Sequence, residues 1–367
     1  MIEGAIDLRL GSPCDPPPDL VIDAMASAAD SLGPYGKSVG SPVFRQAAAD
    51  WMRRRLDVEI DPESVAACVG TKEFVAGLAL LLGAGCGRGR DTVLIPAVAY
   101  PTYAVGAELA GCRVVRVPMA DRFTLDLAGV DADDAARSRL LWVNSPGNPA
   151  GGLDDLEAAA AWGRERGIVV CSDECYVEYT WSGAPVGEVG LPASTMLSSG
   201  TSGVLALHSL SKRSNLAGGR IGFYAGDAAL IAELGERRRE LGLVVPGPMQ
   251  AAGATAWSDQ QHVTEQRERY LRRLERLAEA AVSAGCFDVR LPEGGFYLWL
   301  DVGDDDRAAV ATLAGAGVLV QPGSIYGAAG AGRVRLAAVR PDAEIDEAAR
   351  RLEALRGVLA GGAGWRR

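Results

Sequence analysis

Short apolar segments without strict polar alternation recur from Val65 to Leu207, and stretches with helical periodicity separate them. Strands of this kind are buried on both faces, and their alternation with helices favours a mostly parallel sheet covered on both sides. The predicted strands are Val65–Val69, Thr92–Ile95, Arg113–Val117, Leu140–Val143, Ile168–Cys171 and the apolar runs that flank Lys212. The predicted helices of this region are Pro42–Leu56, Thr71–Leu82, Tyr103–Ala110 and Leu153–Arg166. The sequence therefore predicts an α/β fold with a large domain over residues 34–240.

The chain on either side of this domain has a different character. Residues 1–33 contain a proline-rich extended arm and a helix that begins near Asp19, and we expect both to associate with a smaller domain. Residues 241–367 are predicted to form this smaller α+β domain from alternating strands and polar helices. Its predicted elements are the helix Ser258–Ser283, the strands Phe296–Leu300 and Val334–Ala337, and the closing helix Ile345–Leu359.

Charge and cysteine usage limit the partners and the compartment. The 367 residues include 37 Lys and Arg against 47 Asp and Glu, and the net charge of −10 argues against nucleic acid as a partner. The seven cysteines are scattered and odd in number, which suits free thiols in a reducing cytoplasm and indicates no zinc site. No apolar run has the length of a membrane helix, and the N-terminus does not resemble a signal peptide. We expect a cytoplasmic protein that binds neither nucleic acid nor membrane.

The segment from His208 to Gly222 places Lys212 among serines, directly behind an apolar run, and Arg220 follows eight residues later. A partly desolvated lysine loses its proton readily and can form a Schiff base with a carbonyl. The hydroxyls and the arginine would suit a phosphate. A solvated basic turn is the alternative, and this segment alone does not decide between the two.

Three other loops present polar residues next to predicted strand ends. Asn144–Gly151 and Ser172–Tyr176 each follow a strand, where open α/β sheets bind their ligands. Gly70–Glu73 opens a helix straight after a strand, so its backbone N–H groups offer an anion site. Taken singly, the first two are better explained as ordinary turn residues.

Two rival chemistries find little support in the sequence. Gly36-Lys37-Ser38 lacks the glycine that a nucleotide-binding P-loop requires five residues earlier, because that position is Ser31 at a helix end. The histidines are His208 and His262, and His262 falls in a predicted helix far from any serine motif. A Ser-His-Asp hydrolase is therefore not favoured.

In this order and at these separations the motifs resemble the class I/II aminotransferases of fold type I, from about Leu8 to Leu336. The resemblance implies a large domain that binds pyridoxal 5′-phosphate on a mostly parallel sheet with flanking helices, and a smaller α+β domain. The segments His208–Asn215, Tyr35–Gly40 and Phe296–Trp299 look most like the succinyldiaminopimelate aminotransferases of actinobacteria.

The resemblance implies roles for residues at the reacting carbon and at the cofactor phosphate. Lys212 matches the lysine that binds the cofactor covalently and then moves the proton at the reacting carbon. Ser209 and Arg220 match the residues that hold the phosphate. Thr71 and Lys72 match the turn beside it, and Lys72 would act through its backbone.

Other matches surround the cofactor ring. Asp173 matches the catalytic carboxylate that keeps the pyridine nitrogen protonated, so that the ring accepts electrons from the substrate carbon. Tyr176 and Asn148 match the residues that hydrogen-bond the ring hydroxyl. Tyr100 matches the aromatic residue that stacks on the ring.

The remaining matches concern the substrate and a second subunit. Arg335 resembles the arginine that takes the substrate α-carboxylate, with Asn148 beside it and Gly11 of the arm above it. Tyr35 resembles the tyrosine that reaches the phosphate of a neighbouring subunit, which implies a homodimer with shared sites. Arg333 or Arg340 is a candidate for a distal substrate carboxylate. Two departures from the family pattern, Ala150 and Gly219, would reshape the substrate side.

The implied activity is the transfer of an amino group between an amino acid and a 2-oxo acid, with glutamate and 2-oxoglutarate as the expected pair. N-succinyl-L,L-diaminopimelate, an intermediate of lysine biosynthesis, is the expected substrate. A lyase or synthase of the same fold, or another aminotransferase such as aspartate aminotransferase, are the alternatives. A non-enzymatic cofactor-binding regulator is disfavoured because Lys212, Asp173 and Arg220 are all present.

Overall fold

The computed structural model describes residues 4–83, 89–181, 194–286 and 289–356, and its elements follow the predicted alternation. The helices are Asp19–Ser27 (α1), Pro42–Leu56 (α2), Thr71–Leu81 (α3), Thr102–Leu109 (α4), Ala132–Arg137 (α5), Leu156–Arg166 (α6), Leu210–Arg213 (α7), Ala228–Glu240 (α8), Gly247–Ser258 (α9), Gln261–Ser283 (α10), Asp306–Gly315 (α11) and Asp342–Ala354 (α12). The strands are Ile6–Asp7 (β1), Val65–Cys68 (β2), Thr92–Pro96 (β3), Arg113–Val117 (β4), Ser138–Asn144 (β5), Val169–Asp173 (β6), Val204–Ser209 (β7), Gly222–Gly226 (β8), Tyr297–Asp301 (β9), Val318–Leu319 (β10), Gln321–Pro322 (β11) and Arg333–Ala337 (β12).

The large sheet has seven strands in the order β2-β8-β7-β6-β5-β3-β4, and β8 alone among them runs against its neighbours. The prediction of a mostly parallel α/β sheet is therefore confirmed. Aromatic side chains fill both faces: Trp51, Phe223 and Trp257 on one side, and Phe74, Tyr103, Trp142 and Tyr224 on the other. Burial on both faces explains why these strands carry apolar residues at consecutive positions.

The register of the large sheet gathers the polar loops at one edge. Asn144 at the end of β5 pairs with Asp173 at the end of β6, and Ser209 at the end of β7 pairs with Gly222 at the start of β8. Cys68, the last residue of β2, also pairs with Gly222, which brings the start of α3 to the same edge. The polar loops that were identified separately in the sequence therefore lie together at the same edge of the large sheet.

A second, antiparallel sheet has the order β11-β12-β9 and packs with α10 and α12. The N-terminal arm joins this part of the chain, because Ile6 and Asp7 of β1 pair in parallel with Val318 and Leu319 of β10. Helix α1 packs on α9, and both helices also contribute to the core on one face of the large sheet, through Val21 and Trp257. We keep the boundaries 1–33, 34–240 and 241–367 as a proposal for the domain organisation.

Some elements begin elsewhere than the sequence suggested. The predicted helix Ser258–Ser283 begins at Gln261, because Asp259 is extended and its carboxylate accepts a hydrogen bond from the backbone of His262 at 3.1 Å. Helix α9, rich in glycine and alanine, ends at Ser258 and was not predicted. The closing helix begins at Asp342, directly after Pro341. Its predicted end at Leu359 lies outside the described residues.

Candidate active site

A cavity of about 660 Å³ opens at the carboxyl edge of the large sheet, between that sheet, the arm and the smaller sheet. It is lined by every residue that the family resemblance matched to a cofactor or substrate role except Tyr35: Gly11, Thr71, Lys72, Tyr100, Asn148, Asp173, Tyr176, Ser209, Lys212, Arg220 and Arg335. Tyr35 is fully exposed and does not line the cavity of its own chain. The structure therefore brings together residues that lie up to about 320 positions apart in sequence.

Lys212 lies in the short helix α7, which directly follows β7. Its Nζ donates a hydrogen bond to the carbonyl oxygen of Gly11, so the arm crosses the cavity above the amine. A Cβ atom at Gly11 would overlap the hydroxyl oxygen of Tyr297. Glycine is required there because the arm lies so close to the wall of the cavity.

Asp173 ends β6 with its side chain buried beside Lys212 in the cavity lining. Burial raises the pKa of its carboxyl above the usual range, while hydrogen bonds from Cys175 and Tyr103 and the charge of Lys212 act in the opposite direction. The Tyr103 hydroxyl donates to Oδ2 at 2.9 Å. The sequence motifs assigned no role to Tyr103, although it is the last tyrosine of the motif that supplies Tyr100, one helical turn later.

An anion cradle lies at the start of α3. No side chain caps this helix, so the first N–H groups after Gly70 are available to an anion. Gly70 has a φ of +72°, and a Cβ there would overlap a guanidinium nitrogen of Arg220. Ser209 adds a buried hydroxyl, which accepts a hydrogen bond from the backbone of Ser211 at 3.1 Å.

Arg335 projects into the cavity from β12 of the smaller sheet. Its Nη1 donates to Oδ1 of Asn148 at 2.7 Å, and its Nη2 donates to the carbonyl of Arg9 at 2.5 Å. Its guanidinium carbon lies 4.1 Å from the ring centre of Tyr297, whose hydroxyl is 3.0 Å from that of Tyr176. The buried Nε has no hydrogen-bond partner among the described residues. An arginine held in this way presents a rigid fork to a carboxylate.

The two arginines suggested for a distal substrate carboxylate are not part of the cavity lining. Arg333 forms an ion pair with Asp301 at 3.2 Å, and Arg340 forms one with Glu344 at 2.8 Å. Arg9 lines the cavity instead, and its side chain is paired with Asp7. Arg333 is the first residue of β12 and lies opposite Asp301 of β9. Its nearness in sequence to Arg335 therefore did not indicate a place in the cavity.

His208 and His262 lie outside the cavity lining. Both contact polar side chains that their positions in the sequence did not indicate. The His262 ring contacts Oδ2 of Asp259, and its Nε2 lies 2.8 Å from the hydroxyl of Ser214. The expectation that His262 is far from any serine motif concerned the sequence, and in the fold its ring lies beside the hydroxyl of Ser214. Ser214 is completely buried, so this Asp–His–Ser row has no access to a substrate. His208 lies with Nε2 at 3.4 Å from Oε2 of the buried Glu174.

The cavity residues fit pyridoxal phosphate on structural grounds. The uncapped start of α3 and the guanidinium of Arg220 over Gly70 suit a phosphate. A buried carboxylate at Asp173 suits a protonated pyridine nitrogen, and the Lys212 amine in the same cavity suits a covalent link to an aldehyde. When bound, the cofactor supplies an electron sink for the substrate carbon, and the protein supplies binding, orientation and charge.

Comparison with known proteins points to the same family as the residues of this site. Residues 3–352 match the family "Aminotransferase class I and II". The chain is 44% identical over 353 residues to the 4-dedimethylamino-4-oxo-anhydrotetracycline transaminase OxyQ of Streptomyces rimosus, covering 95% of this chain and 93% of that one. It is 32% identical over 359 residues to an LL-diaminopimelate aminotransferase of Dehalococcoides mccartyi, covering 94% and 89%.

Solved structures give the same result. A "probable N-succinyldiaminopimelate aminotransferase" from Thermus thermophilus superposes with a TM-score of 0.85 and 31% sequence identity, covering 96% of this chain and 95% of that one. Among the described helices, none has the length and apolar composition that a membrane span requires. The chain belongs to the class I and II aminotransferases and is a pyridoxal-phosphate-dependent aminotransferase.

Proposed function

We propose that this aminotransferase acts on N-succinyl-L,L-diaminopimelate, with 2-oxoglutarate and glutamate as the exchanging pair, in lysine biosynthesis. The observation that carries the proposal is Arg335, a buried arginine whose guanidinium is held in the cavity by Asn148 and the arm. It is suited to the α-carboxylate of an amino acid or 2-oxo acid. The names of the Thermus thermophilus structure and the Dehalococcoides mccartyi relative support a diaminopimelate-type substrate.

The charges that line the cavity also favour an anionic substrate. Among the residues that the structure describes, its lining includes one carboxylate, Asp173, against the basic residues Arg9, Lys72, Lys212, Arg220 and Arg335. The cofactor phosphate would occupy Arg220 and the start of α3, which leaves Arg335 to the substrate. A chain with a net charge of −10 needs such a local positive site to attract a dianionic substrate.

Each residue has a separate task in the proposed reaction. Arg335 anchors the carboxylate and thereby orients the Cα–H bond of the substrate toward Lys212. With the cofactor bound, the Lys212 amine would accept the proton released from the substrate Cα and hold it for its return. Asp173, whose Oδ2 accepts a hydrogen bond from Tyr103, would hold the protonated pyridine nitrogen of the cofactor. Tyr100 and Asn148 position the ring.

We further propose a cytoplasmic homodimer in which Tyr35 reaches the cofactor phosphate of the neighbouring subunit. Tyr35 is fully exposed, and Leu32 and Val43 near it in sequence are 67% and 70% exposed. Large apolar side chains in such a position suit a surface that a second subunit covers. Sedimentation equilibrium tests the dimer, and restoration of activity on mixing Tyr35→Phe with Lys212→Ala subunits tests the shared site.

A second candidate substrate is a ketone of the 4-oxo-anhydrotetracycline type, because the 44% identical Streptomyces rimosus relative is named as a transaminase of such a compound. A panel of amino donors separates the candidates: succinyl-diaminopimelate, LL-diaminopimelate, aspartate and glutamate, with a ketone of the anhydrotetracycline type tested as an acceptor of the amino group. The measured signal is conversion of the bound cofactor to its amine form, followed by its return with each oxo acid.

We expect succinyl-diaminopimelate to give the highest kcat/KM. A higher value with unsuccinylated diaminopimelate, aspartate or the anhydrotetracycline-type ketone would overturn the substrate assignment. Product release without any requirement for an oxo acid would instead indicate a lyase or synthase.

A further inference from the structure

Arg213, the residue after Lys212, is buried away from the cavity, with a side-chain exposure of 3%. Its guanidinium donates to Glu178 at 3.3 Å, to the carbonyl of Ala256 at 2.6 Å and to the carbonyl of Asp259 at 3.0 Å. These hydrogen bonds fix the buried guanidinium of Arg213 in one orientation. The peptide that joins it to Lys212 is therefore fixed from the side away from the cavity.

Glu178 is the ionic partner at the centre of this arrangement, and it is also 3% exposed. Its carboxylate accepts hydrogen bonds from Trp51 at 2.8 Å, from Arg55 at 3.2 Å and from Gln260 at 3.3 Å. Burial opposes its ionisation, but the charges of Arg213 and Arg55 outweigh burial and lower its pKa below the usual range. Glu178 is therefore a charged anchor.

The neighbouring residue holds the same peptides directly. The buried hydroxyl of Tyr179 lies 3.1 Å from the carbonyl oxygen of Lys212 and 3.0 Å from that of Arg213, and its one proton is shared between them in a bifurcated hydrogen bond. Glu178 and Tyr179 follow Asp173 and Tyr176 in one continuous segment. The segment that carries the carboxylate for the cofactor ring thus also holds the backbone that carries the lysine.

We propose that Glu178, Arg213 and Tyr179 are positioning residues that fix the Lys212 amine relative to Asp173. Proton transfer at the substrate carbon requires the amine at one place, and a displacement of about 1 Å costs about 100-fold in rate. A buried ion pair contributes little net stability, so its role here is to place the lysine rather than to stabilise the fold alone. This inference rests on the proposed role of Lys212, which mapping of the reduced cofactor adduct tests separately.

The test uses the cofactor-loaded enzyme and the variants Glu178→Gln, Arg213→Met, the corresponding double variant and Tyr179→Phe. Tyr179→Phe keeps the volume of the ring and removes the bifurcated hydrogen bond, so it is the variant least prone to misfolding. Arg45→Met is the matched control, since Arg45 is also buried and bonded to backbone carbonyls but does not line the cavity. Two quantities are measured: kcat and KM with any amino donor that the parent accepts, and the pH midpoint of the absorbance of the bound cofactor.

We expect kcat to fall about tenfold or more in Tyr179→Phe, Glu178→Gln and Arg213→Met, with little change in KM. The absorbance midpoint shifts in each, and the double variant loses no more than the worse single variant because the two residues act as one unit. Arg45→Met lowers the temperature of unfolding but keeps kcat and the midpoint. Parental kcat and midpoint in Tyr179→Phe overturn the proposal. So do opposite effects on kcat in Glu178→Gln and Arg213→Met, which would indicate direct electrostatics between these charges and the amine.

Discussion

Nη1 of Arg335 donates to Oδ1 of Asn148 across 2.7 Å, and this hydrogen bond joins the smaller sheet to the loop that follows β5 of the large sheet. Asn148 is itself held, because its backbone N–H donates to Oδ1 of Asn144 at 2.7 Å. The proposed substrate anchor is therefore positioned by the same loop that the family resemblance assigns to the cofactor ring.

Arg335→Lys is expected to raise KM for the amino acid substrate by about 10- to 100-fold. The lysine keeps the positive charge but loses the planar fork, and with it one charge-assisted hydrogen bond to the carboxylate. Steady-state kinetics with the preferred donor measures the effect, and Arg340→Lys is the matched control because Arg340 pairs with Glu344 outside the cavity lining. Equal KM values in Arg335→Lys and the parent would remove Arg335 from the substrate site.

Borohydride reduction of the loaded enzyme is expected to attach the cofactor to Lys212 alone. The chain contains the lysines Lys37, Lys72 and Lys212, so peptide mass mapping identifies the attachment site without ambiguity. Lys212→Ala is expected to lose the adduct and to reduce kcat by about 10²-fold or more, since it removes the group that moves the proton. An adduct on Lys72 would contradict the assignment.

Gly11→Ala is expected to lower kcat/KM about tenfold or more. The added methyl group would overlap the hydroxyl of Tyr297, and the arm would have to move away from Lys212 and Arg335. Gly33→Ala is the control, because its nearest neighbour to a new Cβ is a backbone oxygen at 3.7 Å and its φ is −65°. Similar activities in both variants would show that the arm tolerates a side chain at Gly11.

The buried pair Glu174 and His208 predicts a dependence of stability on pH. Burial raises the pKa of Glu174 to about 7 and lowers the pKa of His208 to about 3. Between about pH 4.5 and 7, unfolded Glu174 releases its proton while the folded form retains it, so this residue lowers stability as pH rises. His208 acts in the opposite direction between about pH 3 and 6.5, because only its unfolded form is protonated there.

Glu174→Gln removes the first of these contributions and keeps the second. The unfolding temperature of the variant, relative to the parent, is therefore expected to be higher at about pH 7.5 than at about pH 5, as measured by calorimetry at both values. Ser199→Ala, in the turn beyond Met196 whose N–H donates to Glu174, provides a control without a titrating group. A difference between variant and parent that is the same at both pH values would contradict the shifted pKa of Glu174.

The elements were predictable where local sequence determines them. Helix α2 has both predicted ends, since Pro42 opens it and the Ser41 hydroxyl accepts a hydrogen bond from the backbone of Phe44. Strands β4 and β12 were also predicted, because their short apolar runs do not repeat with the spacing of a helix. Helix α9 was missed because its glycine and alanine residues are buried on several sides and give a weak periodic signal, and its packing against α1 and α2 supports it in the fold.

The site was predictable as a set of motifs but not as a network. Lys212, Asp173 and Arg220 carry distinctive spacings, and the structure brings all of them to the cavity. Tyr103 lies 70 positions from Asp173, and Arg213 lies 35 positions from Glu178, so no local pattern indicates either contact. Pairing of Arg333 and Arg340 with acidic residues also depends on tertiary structure, which sequence proximity to Arg335 does not reveal.

The reversed strand β8 has a consequence for how this enzyme can change. Because β7 and β8 are hydrogen-bonded neighbours, the segment between Ser209 and Gly222 begins and ends at one fixed point of the sheet, whereas Arg335 comes from a separate sheet. Mutations that alter the smaller sheet or the arm can therefore retarget the substrate while the lysine stays in place. Relatives named for substrates as different as diaminopimelate and an anhydrotetracycline are what such modular evolution would produce.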